Sequence, residues 1–331
     1  MLRFALLGAG RIGRMHAANL VAHSRASLTW IYDAVPAVAD EVAAKHGAKR
    51  APDIEAALAA KDVDAVLIAS PTDTHVPLIT AAAKAGKAIL CEKPIDLDIK
   101  KVDACWAEIG RLKPVVMVGF NRRFDPSFKA VRDRAVAGEI GRLEQLIITS
   151  RDPAPPPVAY VKVSGGLFRD MTIHDFDMAR FLLGDIDEVS ATAGVLIDPA
   201  IGAAGDIDSA MVTLRAKSGA MAFINNARRC SYGYDQRIEL FGEKGMLQAG
   251  NRRATTVSFH GKERTEAADP LLDFFIARYR EAYDAEVDHF VDCVEKGGTP
   301  LVTFADGREA LRIADAAFES VKTGRTVRLA G

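Results

Sequence analysis

The chain has 331 residues, 49% of them hydrophobic and 26% charged, with a formal net charge of −1. That length points to two domains, and the near-neutral balance gives no basic face of the kind that nucleic acid or an anionic membrane surface requires. The apolar opening at residues 2–7 is too short for a signal peptide or a membrane span, and no other stretch approaches ~18 uninterrupted apolar residues, so a soluble cytoplasmic protein with neither nucleic-acid nor membrane partner is expected.

Residues 1–120 alternate short apolar strands with alanine-rich helical patterns. Strands are expected at 4–7, 28–32, 65–69, 88–90 and 115–118, with helices near 15–22, 37–46, 54–60, 76–85 and 99–109. Gly47 and Gly86 stand where helix C-caps belong. Strands that are apolar throughout, each followed by a helix, indicate a parallel sheet covered on both faces. This half is therefore read as a doubly wound α/β domain that binds a dinucleotide. From residue 121 to 331 the texture changes. A helix is expected at 127–137, stopped by Gly138, then strands at 143–150, 189–195, 209–216, 221–226, 237–241 and 255–260. Lys217-Ser218-Gly219 and Glu243-Lys244-Gly245 read as hairpin turns, so the second sheet should be mainly antiparallel. Two long amphipathic patterns, 274–295 and 306–321, close the chain, and the proline-rich run 153–157 is a stiff extended loop and a candidate lid. The four cysteines, Cys91, Cys105, Cys230 and Cys293, lie far apart without a C-x-x-C pair. They read as free thiols in a reducing compartment, with no metal expected.

The segment Gly8-Ala9-Gly10-Arg11-Ile12-Gly13 matches G-x-G-x-x-G between a strand and a helix. Such glycines let backbone approach a pyrophosphate over the helix N-terminus, whose free N–H groups and dipole favour an anion. Asp33 follows the second strand, 20 residues after Gly13, where a carboxylate accepts from the ribose hydroxyls. Ala34 and Val35 offer no positive charge for a 2′-phosphate, so NAD is favoured over NADP. Ser70, Thr72 and His75 end the third strong strand, at the edge where ligands collect in open α/β sheets; Asp73 and Thr74 could instead cap the next helix.

Lys93, in Cys91-Glu92-Lys93-Pro94, is biased by Pro94 toward extended backbone. There it can donate to a substrate hydroxyl and stabilise the developing oxyanion. In Phe168-Arg169-Asp170-Met171-Thr172-Ile173-His174-Asp175, a helix would place Asp170 and His174 on one face. A carboxylate beside an imidazole suits a general base near neutral pH. Capping by Asp170 or by Thr172 in a Thr172-x-x-Asp175 box, a core histidine and metal ligation remain alternative readings at this point.

These motifs, with Gly119-Phe120-Asn121-Arg122-Arg123-Phe124-Asp125, resemble the Gfo/Idh/MocA oxidoreductase family. The stretches 149–153, 168–180 and 232–237 are similar to its inositol-oxidising members. The resemblance covers essentially the whole chain. It implies a Rossmann domain at 1–120, and at 121–331 an α/β domain with a large, mainly antiparallel sheet that binds substrate and builds a homotetramer. It places Lys93, Asp170 and His174 on catalytic positions, and Glu92, Lys93 and Asn121 beside the cofactor. Arg122, Asp152 and Tyr234 fall with Lys93, Asp170 and His174 on polyol-pocket positions. The activity implied is NAD-dependent oxidation of myo-inositol to 2-keto-myo-inositol. The alternatives are a scyllo-inositol or aldose 1-dehydrogenase and, from another class, an NAD-binding regulator without catalysis. His174 and Lys93 could exchange roles as proton acceptor. The pocket positions are nearly all hydrogen-bonding groups, and Lys93 and Arg122 are offset by Asp152 and Asp170, which suits a neutral polyol better than a sugar acid.

Overall fold

The computed structural model describes residues 1–329. In chain order the first elements are β1 (Leu2–Leu7), α1 (Arg11–Ala22), β2 (Ala26–Tyr32), α2 (Pro36–His46), β3 (Lys49–Arg50), α3 (Ile54–Ala59), β4 (Ala65–Ile68), α4 (His75–Lys84), β5 (Ala88–Cys91), α5 (Ile99–Ile109) and β6 (Val116–Val118). There follow α6 (Pro126–Val136), β7 (Leu143–Arg151), α7 (Val158–Ser164), α8 (Ile173–Leu183), β8 (Ile186–Gly194), α9 (Pro199–Ala203), β9 (Ser209–Ala216), β10 (Met221–Ala227), β11 (Asp235–Gly242) and β12 (Gly245–Ala249). The chain closes with β13 (Ser258–Phe259), β14 (Ala267–Ala268), α10 (Phe275–Arg278), α11 (Arg280–Lys296), α12 (Phe304–Thr323) and β15 (Val327–Arg328).

Two compact units form, and they interleave in sequence. Residues 1–124 with 281–311 make the first; residues 125–280 with those from 312 onward make the second. The first holds a six-stranded parallel sheet in the order β3-β2-β1-β4-β5-β6. Strand order reverses between β1 and β4, which opens a crevice at their carboxyl ends. Local chemistry sets the helix limits: Pro36 starts α2, and Gly47 ends it in left-handed backbone at φ 69°. α11 belongs to this unit, its Phe290 ring 5.8 Å from that of Phe4 on β1. Both rings are buried, and truncating either to alanine would cost about 3–5 kcal/mol.

The second unit holds a seven-stranded sheet, β12-β11-β7-β10-β9-β8-β15. Its pairings are antiparallel except β7 with β10. The expected turns at 217–219 and 243–245 link β9 to β10 and β11 to β12. Alternation divides the side chains cleanly. Leu146, Ile148, Val212, Leu214, Ala222, Ile224, Ile238, Leu240 and Leu247 point inward, while Ile147, Met211, Met221, Phe241 and Met246 stand on the open face.

Two expected elements differ. The strand at 255–260 shrinks to β13, paired only with β14 in a small exposed hairpin. Its β-branched and aromatic residues have no buried face to join, and propensity without burial specifies little. The helix at 274–295 is broken at Tyr279, where φ −111° and ψ 19° leave the helical region. Arg278 is anchored to Asp125 and stacks on Tyr279 at 4.6 Å, while the Tyr279 hydroxyl donates to Gln236. Tertiary anchors on consecutive residues override the helical pattern there. No described helix is long and apolar enough to cross a membrane.

Candidate active site

In the first unit, β1 ends at Leu7 and the chain turns through Gly8 at φ 97°. A Cβ on Gly8 would lie 2.5 Å from the Ser70 amide nitrogen, and one on Gly13 would lie 2.0 Å from the Gly8 carbonyl oxygen. No side chain fits at either place, so the loop is compressed against the carboxyl end of β4 and the N-terminus of α1 is left open. Asp33 Oδ2 accepts from the Ala9 amide at 2.7 Å, and Oδ1 from Val35 at 2.9 Å. The carboxylate thus stands over the glycine loop. Gly10 and Arg11 are exposed and Ile12 is half-buried at the start of α1.

Ser70 Oγ pairs with Thr74 Oγ1 at 2.6 Å, and Thr74 donates to the Pro71 carbonyl at 2.7 Å. Neither Asp73 nor Thr74 caps α4 through its side chain; they belong to a tight turn that includes Thr72. His75 is buried, with Nδ1 2.8 Å from the Pro94 carbonyl and Nε2 2.9 Å from the Ser70 carbonyl. Burial pushes this imidazole below its ordinary range against the pull of both carbonyls. With both nitrogens directed at main chain, His75 ties the end of β4 to the Lys93–Pro94 corner, whose peptide bond is cis.

Glu92 and Lys93 follow β5. His16 Nε2 lies 2.7 Å from Glu92 Oε1, and the Lys93 amide donates to Glu92 Oε2 at 3.3 Å. Burial alone would raise the Glu92 carboxyl, but the His16 hydrogen bond and the charges of His16, Lys93 and His75 hold it below the usual glutamate range. Gly119 makes room for it, since a Cβ there would lie 3.2 Å from Glu92 Oε2. Asn121 and Arg122 follow β6 and are buried, and Asn121 Nδ2 has no partner among the described residues. A donor held unpaired beyond the strand ends suits an acceptor on a bound ligand. The glycine cradle, Asp33 and Asn121 together fit a dinucleotide.

In the second unit, β7 and β10 run parallel and deliver Asp152 and Arg228 from adjacent carboxyl ends, with the Asp152 amide donating to the Ala227 carbonyl at 2.9 Å. Residues Phe168–Thr172 form a wide π-helical turn before α8. Asp170 sits in that turn and His174 in the first turn of α8, so the uniform i, i+4 helix of the sequence reading is replaced by a π-to-α junction. Thr172 caps nothing through its hydroxyl, and Asp175 accepts from Asn226 Nδ2 at 2.8 Å. The capping-box reading is therefore overturned; Asp175 instead pins α8 to β10. Asp170 is held at both oxygens, by the Tyr160 hydroxyl at 2.9 Å and Arg228 Nη1 at 3.0 Å. Neither partner was foreseen, because 10 and 58 residues of chain separate them from Asp170. Tyr234 is buried edge-on against Phe274 and Tyr279. Among the described residues no three metal-ligating side chains cluster.

Residues 2–120 match the model of an oxidoreductase family with an NAD-binding Rossmann fold, and 128–248 that of the GFO/IDH/MocA C-terminal domain. With relatives above 30% identity over nearly its whole length, the chain belongs to the Gfo/Idh/MocA family of NAD-binding oxidoreductases. It is 52% identical to the inositol 2-dehydrogenase of Rhizobium meliloti over 99% of both chains. It is also 45% identical to the myo-inositol 2-dehydrogenase of Thermotoga maritima, over 99% of this chain and 98% of the relative. Among solved structures, the myo-inositol dehydrogenase of Corynebacterium glutamicum matches with a TM-score of 0.97 at 50% identity, over 100% of this chain and 99% of the other. The scyllo-inositol dehydrogenase of Lactobacillus casei with bound NAD(H) and scyllo-inositol matches at 0.91 and 29%, over 99% of each.

Proposed function

We propose that the protein oxidises myo-inositol at the carbon bearing its axial hydroxyl, giving 2-keto-myo-inositol, NADH and a proton. The observation that carries this is the 52% identity, over essentially the full length of both chains, to an inositol 2-dehydrogenase. NAD, when bound, supplies the hydride acceptor at nicotinamide C4. The work left to the protein is to hold the cofactor and move the hydroxyl proton. The glycine loop and Asp33 would hold NAD, with Glu92 and Asn121 as further contacts to it; the unpaired Asn121 Nδ2 supports that reading. Lys93 donates to the substrate oxygen and stabilises charge as the ring C–H bond breaks. His174 takes the hydroxyl proton, and Asp170 orients the imidazole and offsets its positive charge. Arg122, Asp152 and Tyr234 bind ring hydroxyls, each of which must find a partner on leaving water. The first unit is the NAD-binding domain; the second binds substrate.

The protein works in a reducing cytoplasm, consistent with four unpaired thiols. Copies assemble as a homotetramer through the open sheet face, where Met211 and Met246 are 55% and 49% exposed. NADH formation with myo-inositol, scyllo-inositol, D-glucose and D-gluconate tests the substrate. Myo-inositol should give the highest kcat/KM, with discrimination above about tenfold wherever a poorer ligand leaves a polar group unpaired. If gluconate were best, the neutral-polyol reading would be wrong; if scyllo-inositol or glucose were best, only the stereochemistry would fall.

A further inference from the structure

We propose that Arg228 is a positioning residue for this reaction, acting through Asp170. The inference rests on the reading above, in which Asp170 serves His174. Arg228 follows β10 with its side chain 1% exposed. Its Nη1 donates to Asp170 Oδ2 at 3.0 Å, while the Tyr160 hydroxyl donates to Oδ1 at 2.9 Å. One donor on each oxygen fixes both the position and the rotation of the carboxylate. The guanidinium bond is also charge-assisted, which makes it the stronger of the two restraints.

Arg228 is itself held in place. Its backbone amide donates to the Asp208 carbonyl at 2.9 Å, and its Nη2 faces Asp206 Oδ2 at 3.7 Å. Asp206 Oδ1 accepts at 3.0 Å from the Leu167 amide, at the head of the π-helical turn that carries Asp170. It also lies 2.6 Å from where a Cβ on Gly166 would stand. The head and the middle of one turn are thus tied to a single buried cation. If Arg228 served only to neutralise Asp206, that pair would carry its hydrogen bond. The hydrogen bond goes to Asp170, and the Asp206 oxygen stays beyond hydrogen-bonding distance. Wide turns of this kind recur at functional sites, because they shift one side chain out of helical register. Here the shifted side chain is Asp170, and Arg228 is what holds it.

A double-mutant cycle on the full-length enzyme separates this role from a structural one. Arg228→Gln should lower kcat about tenfold or more, with Kd for NAD within about twofold of the parent. In an Asp170→Asn background the same change should cost little, so that the double variant is within about threefold of Asp170→Asn alone. Arg228→Lys keeps the buried charge without the planar fork, and it carries the same cycle if the Gln variant does not accumulate. Losses that multiply, or an Arg228→Gln enzyme of full kcat, would overturn the positioning role while leaving Asp170 catalytic. A fully active Asp170→Asn enzyme would remove the catalytic assignment itself, and the role of Arg228 with it.

Discussion

A methyl group on Gly13 would meet the Gly8 carbonyl oxygen at 2.0 Å, a contact that only a shift of the whole turn could relieve. Gly13→Ala should therefore weaken NAD binding at least about tenfold, or 1.4 kcal/mol, read as Kd by calorimetry. Unchanged affinity would show that the loop does not hold the cofactor. Asp33, held over the same loop by the Ala9 amide, should repel a 2′-phosphate. We expect kcat/KM with NAD to exceed that with NADP by at least about tenfold, and the pair Asp33→Ser with Ala34→Arg to narrow the gap. Equal use of both cofactors by the parent enzyme would contradict this. Such residues are legible in sequence because a glycine turn and a strand-end carboxylate are local features with a fixed order. Tyr160, Asp206 and Arg228 are not, because each reaches the Asp170 turn by folding, and nothing in the spacing announces it. His75 shows both kinds of information at once: its place in the motif is local, whereas the Pro94 carbonyl that its Nδ1 faces comes from 19 residues further along the chain.

At the scale of elements, α11 carries a buried acid that sets a pH dependence. Glu286 is fully buried on the helix that bears Tyr283, whose ring meets His16 edge-on at 5.6 Å. Neither of its carboxyl oxygens has a partner among the described residues. Burial, with the charge of Glu92 nearby, pushes this carboxyl well above the ordinary glutamate range. The folded state therefore keeps a proton that the unfolded chain releases above about pH 4.3, so the group costs stability increasingly as pH rises past that value toward its folded pKa. Glu286→Gln keeps the shape without the titration. Its melting temperature should gain on the parent's as pH rises above about 5, levelling off once the folded carboxyl ionises, whereas a constant offset would show that the carboxyl is charged or solvated. Neither the acid nor the break at Tyr279 shows in the helical periodicity of 274–295, since periodicity reports which face is buried and not what that face must bond. The hairpin turns were legible for the opposite reason: Lys217-Ser218-Gly219 and Glu243-Lys244-Gly245 carry their geometry in their own residues.

At the scale of the molecule, both sheets follow from hydrophobic patterning, apolar runs for the parallel one and alternation for the other. What patterning could not foretell is the return of residues 281–311 to the first unit, a packing choice made between distant segments. Alternation also leaves Ile147, Met211, Met221, Phe241 and Met246 on one open face, and contiguous exposed apolar side chains of this kind mark interaction surfaces. On the proposed homotetramer, Met211→Lys with Phe241→Lys should give smaller species than the parent by light scattering, with the fold intact by circular dichroism. Four-chain particles persisting in that variant would place the interface elsewhere. The central claim is that the ring C–H bearing the axial hydroxyl gives its hydrogen to NAD while Lys93 and His174 manage the proton. Replacing Lys93 or His174 with alanine should each lower kcat roughly a hundredfold with NAD binding retained. The most direct measurement supplies myo-inositol deuterated at that single carbon and weighs the reduced cofactor by mass spectrometry. The expected result is NADH one mass unit heavier, with deuterium at nicotinamide C4. Reduced cofactor formed without the label would mean that oxidation occurs at another carbon, and would contradict the assignment.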